Sequence, residues 1–118
     1  MKQSVRELSG AAADQFSYLI VYAPDFPAED QTTADRECDR LLEMLLEIKS
    51  RAADTPKKQW LTLAIAEVEQ ARAALSTSDA SGANGLLHEA EDHFSAYLSG
   101  KRAKATFIGG PDGGVEQT

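Results

Sequence analysis

Apolar residues recur at three- and four-residue spacing along three consecutive stretches, 33–53, 56–76 and 81–99, the period that lines one face of an α-helix. In the first stretch that face is Cys38, Leu41, Leu42, Leu45, Ile48 and Ala52, and Met44 and Leu46 widen it past half the helix circumference. An arc so wide exceeds what one neighbouring helix covers, so this element is expected at the centre of the fold or at an interface between copies. Thr32 with Asp35 three positions later fits a capping box, and Thr33 is an equal candidate for the cap.

The second stretch opens at Thr55 and Pro56, with threonine as cap and proline in the first helical position, where its missing N–H costs nothing. Its apolar face runs through Trp60, Leu61, Ala64, Ile65, Val68, Ala71 and Leu75. The short connection at 54–56 folds these two helices into an antiparallel hairpin. Residues 76–82 read as a polar break. The third helix carries Ala83, Leu86, Leu87, Ala90, Phe94, Tyr97 and Leu98 and stops at Gly100, with Lys101, Arg102 and Lys104 complementing the dipole at its carboxyl end.

The flanks are ambiguous. Residues 16–22 are rich in aromatic and β-branched side chains, which suits a strand that 105–108 would pair with. Yet Val5, Leu8, Ala12, Phe16, Leu19, Ile20 and Ala23 also fall on one helical face, and Ser4 and Glu7 stand in capping-box register. Segment 16–23 is therefore a fourth helix or a short strand. Pro24 and Pro27 end either element, and 25–31 is an acidic loop. The fold class is mainly α, a small antiparallel helical bundle over 1–108, followed by a Gly-rich tail at 109–118 that is expected to be flexible.

Composition narrows the functional classes. A chain of 118 residues with 42% hydrophobic content supports one modest core. Twelve basic residues against 19 acidic ones give a net charge of -7, which disfavours nucleic acid and anionic membrane surfaces and makes a basic protein the natural charged partner. Cys38 is alone, so no intramolecular disulfide forms. The first residues lack the apolar core of a signal peptide, and the longest apolar run, 18–23, is far too short to span a bilayer. A soluble, cytoplasmic protein is expected.

Candidate chemistry is sparse. Both histidines lie in 87–93, among Glu89, Glu91 and Asp92. His88 and His93 are five residues apart, which rotates their rings away from each other on a helix, whereas a helical metal pair needs its ligands one turn apart. His88, Glu89 and Asp92 point away from the face of Leu87, Ala90 and Phe94, and residue 90, where a Glu-x-x-His motif would need its glutamate, is alanine. The expectation is a solvated charged face with His93 at its boundary, and no metal or cofactor. The rival is a metal-binding or hydrolytic site built from His88, Glu89, Asp92 and His93.

Along the first helix Asp35, Asp39, Glu43 and Glu47 form a ladder at four-residue spacing, with Arg36, Arg40 and Arg51 beside it. Each like-charge step costs about 0.2–0.5 kcal/mol on an isolated helix. The ladder is either an ordinary solvated face or a docking strip for a basic partner with Leu46 as apolar anchor. Cys38 falls on the buried face without a histidine near it in sequence. The tail glycines lack the following Gly-Lys-Ser/Thr of a phosphate loop. The 64–90 hairpin finds no second copy at the roughly 34-residue period of a helical repeat. Residues 25–99 hold 15 acids against 7 bases, a net of -8. These features point to a non-enzymatic interaction or regulatory module that binds an unidentified, basic protein partner, with a structural homo-oligomer as a further alternative.

Overall fold

The computed structural model describes residues 3–100. Four helices follow one another: α1, Val5–Tyr22; α2, Ala34–Arg51; α3, Lys58–Ser76; and α4, Ala80–Leu98, with a single 3-10 turn at Ala28–Asp30 between the first two. Residues 16–22 are thus helical, and the helical face of Leu8, Ala12, Phe16 and Leu19 is buried. Burying four large or small apolar side chains along one stripe outweighs the β propensity of the aromatic run. The strand partner at 105–108, the cations at 101–104 and the tail at 109–118 lie outside the described residues.

Helix boundaries follow local hydrogen bonding. Ser4 caps α1 by accepting from Glu7 N at 3.1 Å while Glu7 Oε1 accepts from Ser4 N at 2.9 Å, the reciprocal pair of a capping box. Thr33 caps α2, its hydroxyl accepting from Arg36 N at 3.2 Å, which leaves the Thr32 hydroxyl available elsewhere. Helix α3 begins at Lys58, two residues later than the proline rule implies, because Thr55 and Pro56 form i→i+3 turns to Lys58 and Gln59 first. Helix α4 begins earlier than the polar composition of 76–82 suggests. Asp79 accepts from Gly82 N at 3.0 Å and draws Ala80, Ser81 and Gly82 into the first turn. A Cβ at residue 82 would meet the Asp79 carboxylate and oblige that side chain to shift within the cap.

The helices form a ring of neighbours, α1 on α2, α2 on α3, α3 on α4 and α4 on α1, and the diagonal pairs do not approach each other. Three polar ties fix the antiparallel sense. Arg72 near the end of α3 reaches Asp35 at the start of α2. Asn84 at the start of α4 donates to Ile20 O at the end of α1 at 3.2 Å, and Arg51 at the end of α2 donates to Gln3 O at 2.7 Å. Between them lies one core in which Phe16, Leu19, Leu41, Leu45, Ile48, Leu61, Val68, Leu87 and Phe94 are at most 1% exposed. Phe16 and Phe94 meet across the α1/α4 seam with ring centroids 5.6 Å apart. Helix α2 therefore occupies a corner with two neighbours and not the centre; Met44 packs against the core, and Leu46 is left 51% exposed. Among the described residues no helix is long and apolar enough to cross a membrane.

Candidate functional site

Two polar sites sit on opposite sides of the bundle, and both are organised around a glutamate. The first lies between α1 and α2. Glu37 occupies the core-facing register one residue before Cys38 and is 3% exposed. Gln15, from the middle of α1, donates from Nε2 to Glu37 Oε1 at 2.8 Å and to the Glu37 backbone O at 3.0 Å. The Thr32 hydroxyl, freed by Thr33's taking the cap, donates to Glu37 Oε2. Burial pushes the Glu37 carboxyl up, but the bonds from Thr32 and Gln15 and the charges of Arg40 and Arg36 outweigh it and hold the group below its ordinary value.

Gln15, Thr32 and this carboxylate form part of the lining of an open cleft of about 620 Å³, with Asp14, Tyr18, Asp30, Arg36 and Arg40 around them. The Tyr18 hydroxyl donates to Asp30 Oδ2, and that bond, with burial and the Asp30 charge, pushes the phenol up to about 12. Tyr18 also stacks on Phe26 at 5.3 Å, which fastens the acidic loop to α1.

The second site lies between α3 and α4. His93 stacks on Trp60 with ring centroids 5.4 Å apart, and its Nδ1–H donates to Glu67 Oε1 at 2.6 Å. Burial pushes Glu67 up, and the hydrogen bond and charge of His93 offset this only in part, because Glu89 and Asp92 push in the same direction as burial. His88, Glu89 and Asp92 are exposed, and His93 is half-buried. Among the described residues no group of three His, Cys, Asp or Glu side chains gathers in a way that would hold a metal ion. The partner that His93 does find, Glu67, comes from another helix.

The acidic ladder on α2 divides in two. Asp35 and Asp39 are both held by Arg72 of α3, through Nε at 3.1 Å to Asp35 Oδ1 and through Nη1 to Asp39 Oδ1. Glu47 pairs with Arg51 at 2.7 Å. Glu43 is exposed and has no ion-pair partner among the described residues. Leu46, one turn along from Glu43, stands out beside it. Cys38 is fully buried, and burial pushes its thiol up to about 11, so it lacks the thiolate character of a nucleophile at neutral pH.

Sequence reasoning passed over Gln15, Glu37 and Glu67, and a signal existed for the first two. Each stands where the helical period calls for an apolar residue, Gln15 between Ala12 and Leu19 and Glu37 between Ala34 and Leu41. A polar side chain in a core register requires a partner. Comparison with known proteins finds no match to this chain, whether among family models, curated proteins or solved structures.

Proposed function

We propose that the protein is a non-enzymatic interaction module that presents the outward face of α2 to a basic protein partner. The observation that carries this reading is the pairing of Glu43, an exposed carboxylate without an intramolecular cation among the described residues, with Leu46, which is 51% exposed. A half-exposed leucine supplies apolar area at a contact, and an uncompensated carboxylate supplies orientation and steering. The net charge of -7 extends that steering beyond the contact itself and works against nucleic acid and anionic membranes as partners. Asp35 and Asp39 take a secondary part, since a partner's cation has to compete with Arg72 for them.

The pairing also selects the test. Asp39→Lys would set a cation against Arg72 and disturb the α2/α3 seam, so the discriminating variant is Glu43→Lys combined with Leu46→Ser, which touches neither. Affinity capture from lysate of the source cells should retain a basic protein on the wild-type chain and lose it on this variant, with helicity and melting midpoint unchanged. Retention of the same protein by the folded variant would remove the α2 face from the proposal. A chain that sediments as a dimer through Leu46 would replace the heterologous partner by a second copy.

A further inference from the structure

The seam between α1 and α4 is the least closed of the four. A groove of about 480 Å³ runs along it, with Val5, Ser9, Gly10 and Ala13 on one wall and Tyr97 and Leu98 on the other. Val5 and Leu98 are 37% and 49% exposed there. Two features are unexplained by the described residues. Ser9 is 8% exposed, lines the groove, and its hydroxyl has no hydrogen-bond partner among them, whereas buried polar groups are almost always paired. Gly10 weakens the interior of α1 relative to alanine, yet a Cβ there would meet nothing within 4 Å, so no helix crossing requires it. An unpaired hydroxyl beside bare backbone in an apolar trough describes a surface that another stretch of backbone lies against.

The chain itself supplies that stretch. Leu98 lies in the groove, and two residues later Gly100 takes φ +78 with its N–H donating to Tyr97 O at 3.1 Å. A left-handed residue just past a helix end turns the chain back on itself. Phe107 and Ile108 are the only adjacent large apolar residues in 101–118. Phe107 lies seven residue steps beyond Gly100, a reach of up to about 23 Å when extended. The α1 wall of the groove, Val5 to Ala13, is only about 12 Å long. Charge plays a lesser part. Lys101, Arg102 and Lys104 are drawn to an acidic bundle, but Arg6 and Lys57 also line the groove and oppose them locally, with the Lys57 ammonium 5.2 Å from the centre of the Tyr97 ring.

We propose that this groove is the seat of the chain's own segment 105–108, with Phe107 and Ile108 filling it over Gly10 and the Ser9 hydroxyl bonded to the backbone of that segment. The contact is chiefly apolar and so persists at high salt. It involves neither Glu43 nor Leu46 and stands apart from the α2 face.

The test uses the full chain with a nitroxide on Gly110→Cys, which leaves the apolar pair intact. Cys38, fully buried, stays unlabelled. The amide resonances of Ser9, Gly10 and Ala13 should lose most of their intensity, keep that loss at about 1 M salt, and recover it when Phe107→Ser and Ile108→Ser are added to the labelled chain. The recovery decides the matter, because a tail anchored at Gly100 brings some broadening wherever it lies. Equal broadening with and without the apolar pair overturns the proposal. So does broadening passed from a spin-labelled chain to an isotope-labelled one in a mixture, which would assign the groove to a second copy.

Discussion

The α1/α2 and α3/α4 seams each hold a buried or half-buried glutamate, and the two respond to burial in opposite ways. The Glu37 side chain is less exposed to solvent, 4% against 15% for Glu67, yet its carboxyl sits below its ordinary value and that of Glu67 sits above it. The difference lies in the donors. Glu37 receives fixed hydrogen bonds from Gln15 and Thr32 and the favourable charges of Arg40 and Arg36, whereas Glu67 receives one bond from His93 and faces Glu89 and Asp92. Enclosure alone does not decide whether a carboxylate stays charged; the number and sign of the groups aimed at it do.

Removing the Gln15 donor should leave the buried Glu37 carboxylate short of one hydrogen bond, and this is the largest effect expected. Gln15→Leu should cost about 2 kcal/mol in denaturant unfolding at neutral pH, because it takes from the 3% exposed Glu37 the hydrogen bond to Oε1 and leaves that oxygen only Arg40 at 3.8 Å. Adding Glu37→Leu to it should recover most of that loss, since apolar groups of similar volume replace a buried polar pair at little cost. A double variant as unstable as the sum of the two single ones would show that the two residues do not act as a unit.

Glu67 offers the opposite sign at smaller magnitude. Its folded value lies above the ordinary 4.5, so its contribution is fully present below about 4.5 and is lost as pH rises through the raised folded value. For Glu37 the folded value lies below 4.5, so its contribution is complete above about 4.5 and is lost as pH falls through the depressed folded value. Glu67→Gln, which keeps an acceptor for His93 Nδ1–H without a charge, should therefore leave stability at pH 7 unchanged or raise it by less than about 1 kcal/mol. That gain should vanish on acidification. Amide exchange near pH 4 should open the α1/α2 seam before the α3/α4 seam; the reverse order would contradict the assignment of the two signs.

The helical architecture was legible because its signal is periodic. The middle of each stripe, such as Leu41, Leu45 and Ile48 or Ala83, Leu87, Ala90 and Phe94, is buried where its spacing places it, whereas Val5 and Leu98 at the helix ends are exposed. Local chemistry was less so. Asp79 caps α4 by drawing in Gly82, and in sequence that stretch resembles an ordinary polar loop. The inter-helix polar contacts were the least legible of all. Nothing near His93 in sequence points to Glu67, 26 positions away, and the ladder at Asp35 and Asp39 appears balanced by its own neighbours Arg36 and Arg40, when the cation that holds it is Arg72 of the next helix. Such pairings depend on the rotation of one helix against another, which the apolar stripe fixes only to within a residue or two.

Arg72 provides the last and smallest term in the comparison, an exposed counterpart to the two buried sites. It holds two carboxylates, and Asp35 and then Asp39 raise the value of the guanidinium above its ordinary one. The geometry is as close as that around Glu37. Here, however, water solvates all three charges whether or not they touch, and holding two flexible side chains in one arrangement costs entropy that offsets the attraction. Arg72→Ala should lower the melting midpoint by far less than Gln15→Leu does. The loss should shrink further as salt is raised towards about 1 M, where the screening length falls to about 3 Å. Gln15→Leu should keep most of its effect at the same salt, because what it removes is a direct hydrogen bond to a carboxylate that is 3% exposed and not an attraction between solvated charges. A salt-insensitive loss at Arg72 would mean that its aliphatic stem, and not its ion pairs with Asp35 and Asp39, does the holding.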